Sequence, residues 1–274
     1  MDKRTIFGFV LIALVLIGFS WYNQPSAEEQ AAQARQDSIA KAMNQGQMEA
    51  EKTKKAAAEI QRQKQLEAVV NDTTALFHSA ITGKAQNITL RNNKIELTIS
   101  TKGATVFKAV VKGFKDRNDN PNVTLFDGTD QSLKFMLTGK SANIISSDLY
   151  FTPSAVTDTS VTLTAEAAKG QAVVLKYTLG KDYLLHSSLQ VVGMSGFFAP
   201  NYNRMDVEWT AKCRQQEKGF TFENRYSTLT YKENNGGTDH LSETSEDIDK
   251  SIEESLDWVA FKDQFFSSIF ISKE

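Results

Sequence analysis

Apolar and polar positions follow three different rhythms along this chain. From Ile6 to Tyr22, seventeen consecutive positions (IFGFVLIALVLIGFSWY) carry no charged side chain. Ile6, Phe7, Phe9, Leu11, Leu14, Leu16, Phe19, Trp21 and Tyr22 make that run apolar on every face. A helix of this length rises roughly 25 Å, near the lower limit for a hydrocarbon core of about 30 Å, so the run reads as a membrane anchor. Lys3 and Arg4 precede it, whereas Glu28 and Glu29 follow, which marks the N-terminal tail as cytoplasmic and the remainder as exported. A cleaved signal peptide shares the basic start and the apolar run. It wants small residues at its end, and this run closes on an interfacial Trp21–Tyr22 pair instead, so the uncleaved anchor is preferred. With no Cys directly following the run, lipoprotein processing is excluded.

From Ala27 to about Val70 the rhythm changes to Ala, Gln, Glu and Lys with no Pro and a single Gly46. These residues favour helix, but Ile39, Met43, Ile60, Leu66 and Val69 are too sparse for a heptad seam. A polar, partly helical tether over 27–70 is expected.

From Asn71 onward the period becomes two. Lys94–Ser100 alternates polar and apolar side chains, Lys102–Gly103 marks a turn, and Ala104–Phe114 is rich in Val and Phe. The polar stretch 115–121 ends at Pro121 as a loop. Further strands are predicted at Val123–Phe126, Leu133–Leu137, Val161–Ala165, Ala172–Leu179, Leu184–Val192, Met205–Trp209 and Thr228–Tyr231. With no helical pattern between them, crossover connections are unavailable, and the fold class is all-β, an antiparallel double-sheet sandwich over 71–274. Asn234–Gly237 reads as a loop, and the acidic stretch from Leu241 to Asp257 as a solvated surface segment. The aromatic close of the chain, from Asp257 to Ile271, would be costly to expose, and Trp258, Phe261, Phe265 and Phe266 are expected to be core rather than a partner surface.

Composition narrows the function more than it identifies it. The 274 residues carry 31 basic and 33 acidic side chains, interspersed, so no nucleic-acid footprint is expected. Cys213 is the single cysteine; it can form no intrachain disulfide and reads as a small buried hydrophobe. His78, His186 and His240 are far apart without metal-ligand spacing. No nucleophile elbow, phosphate loop or dinucleotide fingerprint is present. Neither a catalytic residue nor a cofactor or metal site is predicted, and the chain is not read as an enzyme.

Four stretches together resemble the YidC membrane protein insertases of bacteria. They are Met1–Ile12 with Gln24–Pro25–Ser26, Asn92–Ala104, Gly180–Tyr183, and Trp258-Val-Ala-Phe-Lys-Asp-Gln-Phe-Phe, which is similar to that family's W-V-A-x-x-x-Q-Y/F-F motif. The motif singles out Trp258, Val259, Phe261, Gln264, Phe265 and Phe266 as core or partner contacts. The resemblance implies a super-sandwich of galactose-mutarotase-like fold in the periplasm. It also implies a role in inserting, folding and assembling inner-membrane proteins, with inner-membrane lipid, nascent membrane proteins and the Sec translocon as partners. On this reading the sandwich is truncated at its C-terminal end, and the groove-bearing membrane core lies beyond Glu274. The rival readings are an anchored adaptor of membrane-fusion type and an anchored carbohydrate-binding sandwich.

Overall fold

Ile88 and Leu90 alternate with exposed Asn87, Thr89 and Arg91 in β1 (Asn87–Arg91), and Ile95, Leu97 and Ile99 supply the buried side of β2 (Ile95–Ser100). Period-two burial of this kind places every second residue on one face. These strands begin an antiparallel meander, β1-β2-β3-β4, completed by β3 (Thr105–Lys112) and β4 (Asn122–Asp127). The computed structural model describes residues 27–140, 143–199, 205–243 and 249–272. The predicted anchor residues Ile6–Tyr22 lie outside them. Among the described residues no helix is long and apolar enough to cross a membrane.

A second antiparallel sheet has the order β10-β9-β8-β7, from β7 (Thr152–Ser154), β8 (Ser160–Ala168), β9 (Gln171–Leu179) and β10 (Leu185–Val192). Val161, Leu163 and Ala165 of β8 and Val173, Leu175, Tyr177 and Leu179 of β9 share one hydrophobic core with the inward residues of β1–β4. Two sheets burying their apolar faces against each other is a sandwich arrangement. Polar staples fix it at two places. The Tyr177 hydroxyl donates to the Ala104 carbonyl at 2.7 Å in a fully buried setting. Asn92 Nδ2 donates to the carbonyls of Gly180 and Asp182 at 2.8 and 2.7 Å, tying the β1–β2 turn to the β9–β10 turn. At the end of β10, Gly193 lies so close to the Gly170 carbonyl that a Cβ would stand 2.2 Å from that oxygen, with φ at +67°. Only glycine meets both demands.

A three-stranded sheet, β11-β5-β6, adds Phe135 and Leu137 to the same core through β5 (Gln131–Thr138), flanked by β6 (Asn143–Ile145) and β11 (Asp206–Ala211). The fourth sheet, β13-β12-β14-β15, is built from β12 (Thr228–Glu233), β13 (Thr238–Ser242), β14 (Leu256–Lys262) and β15 (Ser267–Ile271). Its own buried residues are Tyr231 and Ala260.

The nine strand stretches predicted from the pattern all fall on strands. Strands β1, β6, β7, β13, β14 and β15 had not been assigned from the sequence, nor had the single-turn helices α2 (His78–Ile81) and α3 (Phe220–Glu223). The α2 turn follows Phe77, whose side chain is in the core. The tether is more regular than expected. Ala27–Asn71 forms one helix of 45 residues, α1, about 67 Å long at 1.5 Å per residue. Ile60 on it is exposed, and Glu59 accepts from Arg62 and Gln63 one turn further on. The chain divides into two units, residues 1–65 and 66–274.

Replacing Tyr177 by Phe deletes the buried bond to Ala104 while keeping the ring. The expected cost is about 1–3 kcal/mol, since the carbonyl loses a buried donor. Urea unfolding of both proteins measures it; an unchanged midpoint would show that the staple contributes nothing.

Candidate interaction groove

The fourth sheet is joined to the rest through aromatic rings. Trp209 of β11 meets Phe261 of β14 edge-to-face at 4.6 Å and Phe270 of β15 at 6.3 Å. Phe266 meets Phe114, at the end of β3, edge-to-face at 5.8 Å. Such pairs are worth about 0.5–1.5 kcal/mol each beyond the area they bury.

Between these seams opens a groove of about 680 Å³. Leu97, Ala109 and Leu125 of the first sheet line it, with Tyr183 from the β9–β10 turn and Phe265 and Phe270 from the β14–β15 hairpin. Two buried polar atoms on its lining residues, Trp209 Nε1 and Gln131 Oε1, have no hydrogen-bond partner among the described residues, which leaves one donor and one acceptor unanswered there. A concave, mostly apolar surface with few polar groups is the form ligand and peptide sites take.

A second cavity of about 670 Å³ contains two buried carboxylates. Glu223, 3% exposed, accepts from the backbone N–H groups of Gln216 and Glu217 at 2.7 and 3.1 Å. Asp263, 7% exposed, accepts from the N–H groups of Phe266 and Phe265 at 2.7 and 3.0 Å. Burial pushes the Asp263 carboxyl above its ordinary range, and the charge of Glu223 adds to the shift, against the pull of those backbone donors.

Cys213 lines the same cavity and is exposed, which corrects the expectation of a buried hydrophobe. Cys213 follows β11 by two residues, in an irregular stretch that no sheet covers. Partial screening of its sulfur from water and the carboxylates of Asp263, Glu243 and Glu223 push its thiol up to about 11. A thiol held protonated in this way is a poor nucleophile at neutral pH. Among the described residues no group of three or more His, Cys, Asp or Glu side chains is placed to hold a metal ion.

The motif residues are spread over this seam. Trp258 and Val259 pair across β14–β15 with Ile271 and Phe270, and Ala260 is buried. Phe261 and Phe266 are half-buried in the aromatic contacts. The buried Gln264 Oε1 has no hydrogen-bond partner among the described residues. Phe265 is 63% exposed, so the core expectation fails there. The reason is local: Asp263 N–H donates to the Phe266 carbonyl at 3.0 Å, leaving Gln264 and Phe265 as the two central residues of a hairpin tip. A side chain on such a tip stands off the sheet. Pattern reasoning also missed Tyr183, Phe114 and Trp209 as groove residues, because their meeting is set by tertiary packing rather than spacing.

A family model described as the YidC periplasmic domain matches residues 87–274. The chain belongs to that family. Among curated proteins it is similar to the membrane protein insertase YidC of Phocaeicola vulgatus, 41% identical over 276 residues that cover all of this chain and 43% of the relative. The membrane protein insertase YidC of Bacteroides fragilis (strain ATCC 25285) is also 41% identical, with 44% of its length covered. That of Parabacteroides distasonis is 38% identical over 286 residues, again with 44% covered. The chain thus spans less than half the length of these relatives. No solved structure matches it significantly.

Two measurements test this description. Phe265→Ala should change unfolding free energy by no more than about 0.5 kcal/mol, the size typical of surface substitutions, while Phe261→Ala should cost about 2 kcal/mol or more through the lost contact with Trp209; equal costs would place Phe265 in the core after all.

Asp263 gives a pH signature. Its folded-state pKa is raised above the value of 3.8 it has when unperturbed, so the folded protein holds the proton longer and stability falls as pH rises through that window. Asp263→Asn keeps the Oδ1 acceptor without the charge. Its thermal midpoint should exceed wild type at pH 7, with the advantage vanishing below about pH 3.8; an advantage independent of pH would exclude the buried charge as its source.

Proposed function

We propose that the chain is the N-terminal anchor, tether and periplasmic sandwich of a membrane protein insertase, a protein that inserts and helps assemble inner-membrane proteins alone or beside a Sec translocon. The observation that carries the proposal is the similarity to insertases along the whole of this chain, with the periplasmic-domain model matching the β-region. Insertion makes no covalent bond. Its difficulty is the cost of carrying polar backbone and side chains into lipid, several kcal/mol for each unsatisfied group. On this proposal Ile6–Tyr22 holds the chain in the bilayer and α1 spaces the sandwich from it. The sandwich, with galactose-mutarotase-like super-sandwich topology, offers docking surfaces to substrate or translocon, while the insertion groove lies in the part of the relatives that this chain does not span. The adaptor reading is disfavoured because the long helix precedes the strands instead of interrupting them. The carbohydrate reading rests on fold analogy alone.

Depletion of the gene product should lower membrane insertion of pulse-labelled single-span proteins severalfold, read by protease protection, and external protease should reach the β-domain in spheroplasts. Unimpaired insertion, or a domain shielded in spheroplasts and digested only after lysis, would overturn the reading.

A further inference from the structure

Aromatic side chains are segregated on this protein's surface. Among the described residues, the markedly exposed aromatics are Phe114, Tyr183, Phe220, Phe222, Tyr226 and Phe265. All six sit on turns or loop tips. Phe114 leads the 115–121 loop and Tyr183 is on the β9–β10 turn. Phe220 and Phe222 are on the single-turn α3, Tyr226 follows just after it, and Phe265 is on the β14–β15 tip.

A chain of contacts joins them at one end of the domain. The rings of Phe222 and Tyr226 are 5.6 Å apart, and Lys262 Nζ lies 5.9 Å from the centre of the Tyr226 ring. Lys262 opens the hairpin that carries Phe265 and Phe266, and Phe266 meets Phe114 edge-to-face. Tyr183 shares the groove with Phe114 and Phe265, and Phe220 shares the second cavity with Asp263.

Cations are interleaved with these rings. Lys94 Nζ stands 5.4 Å from the Tyr183 ring centre, and Lys115 and Arg225 are exposed without an ion pair among the described residues. Three neighbouring acids are engaged locally, whereas exposed Glu243, next to Ser227, adds a negative charge on the Tyr226 side. The Asp116 carboxylate accepts from the backbone of Asn118 and Asn120 and from Asn120 Nδ2, Asp119 pairs with Lys218, and Glu223 accepts from the backbone of Gln216 and Glu217.

We propose that this rim of loop-borne aromatics and cations is a docking surface for the interfacial layer of an anionic phospholipid bilayer. Exposed aromatics this numerous, connected through contacts and shared cavities, mark an interaction site. Rings carried on separate turns and divided by lysine and arginine do not form the continuous dry patch that the centre of a protein interface needs. They suit a layer in which aromatics settle at headgroup depth while cations meet lipid phosphates. The surface stands independently of any insertion activity.

Hydrogen exchange of the full chain tests it, comparing the chain with phospholipid nanodiscs containing about one-third anionic lipid and the chain held in amphipol. Segments 219–227 and 263–267 should exchange at least about threefold more slowly with the discs, and Phe222→Ser combined with Phe265→Ser should restore the disc-free rate. Equal rates in both settings, or slowing that the double variant leaves intact, overturns the proposal. So does protection without discs that grows with protein concentration, which would make the rim a contact between copies. All substituted residues are exposed, and an unchanged thermal midpoint of the double variant confirms that loss of protection is not loss of fold.

Discussion

A chain with one thiol has no intrachain disulfide, so the mutual burial of two alternating β-surfaces has to hold this domain together. Leu163, Val161 and Val173 from one sheet and Leu90, Ile99 and Val123 from the other are wholly removed from water. Each contributes about 1.5–3 kcal/mol of transfer free energy, set against the backbone entropy of ordering the strands that carry them. The gain survives only if the polar backbone taken along is satisfied, and this is why the Tyr177–Ala104 and Asn92–Gly180 bonds sit where they do. Both answer carbonyls at turns, where ladder partners run out.

The same requirement explains the long irregular stretch after β11. Strand β4 ends its sheet and would present open backbone groups. One residue following β11 answers it directly: Gln216 Nε2 donates to the Thr124 carbonyl at 2.9 Å, while the Lys212 N–H donates to the Asp130 carbonyl just past β4 at 2.7 Å. Arg214 reinforces this with an ion pair to Asp130, whose carboxyl is held below its usual range despite partial desolvation. The outer side of β15 pairs with no strand among the described residues, and its Ile269 and Ile271 are exposed. The β4 edge is thus partly answered by the protein's own chain, whereas the outer side of β15 has no strand partner among the described residues.

Legibility in the sequence followed the length and purity of the alternation. In β2 and β9, every second residue is apolar and the flanking turns carry Gly or Asn, so pattern and structure coincide. Strands β6 and β7 have three residues each, too few to display a period. β13, Thr-Asp-His-Leu-Ser, is a strand because β12 pairs with it, not because its own residues ask to be. The closing motif misled in another way. Aromatic density reads as core, yet Phe265 occupies a hairpin tip whose two-residue length is a property of pairing register. Cys213 likewise looked apolar in composition and lies in the strap, where no sheet covers it.

The buried carboxylates give this seam its particular character. Asp263 caps the hairpin that projects Phe265, and Glu223 caps the strap that projects Phe220 and Phe222, each through two backbone N–H groups. Both acids line one cavity, and the charge on Glu223 opposes ionisation of Asp263. Backbone donors favour the Asp263 anion, whereas burial and the nearby Glu223 charge oppose it, so this cap is in electrostatic competition with its surroundings. Elements held in this way belong to the less stable part of a domain, and binding surfaces are drawn from that part because they must adjust to what they meet. The sandwich sets where the rim stands, and the Asp263 and Glu223 caps fix the turns that carry its aromatics.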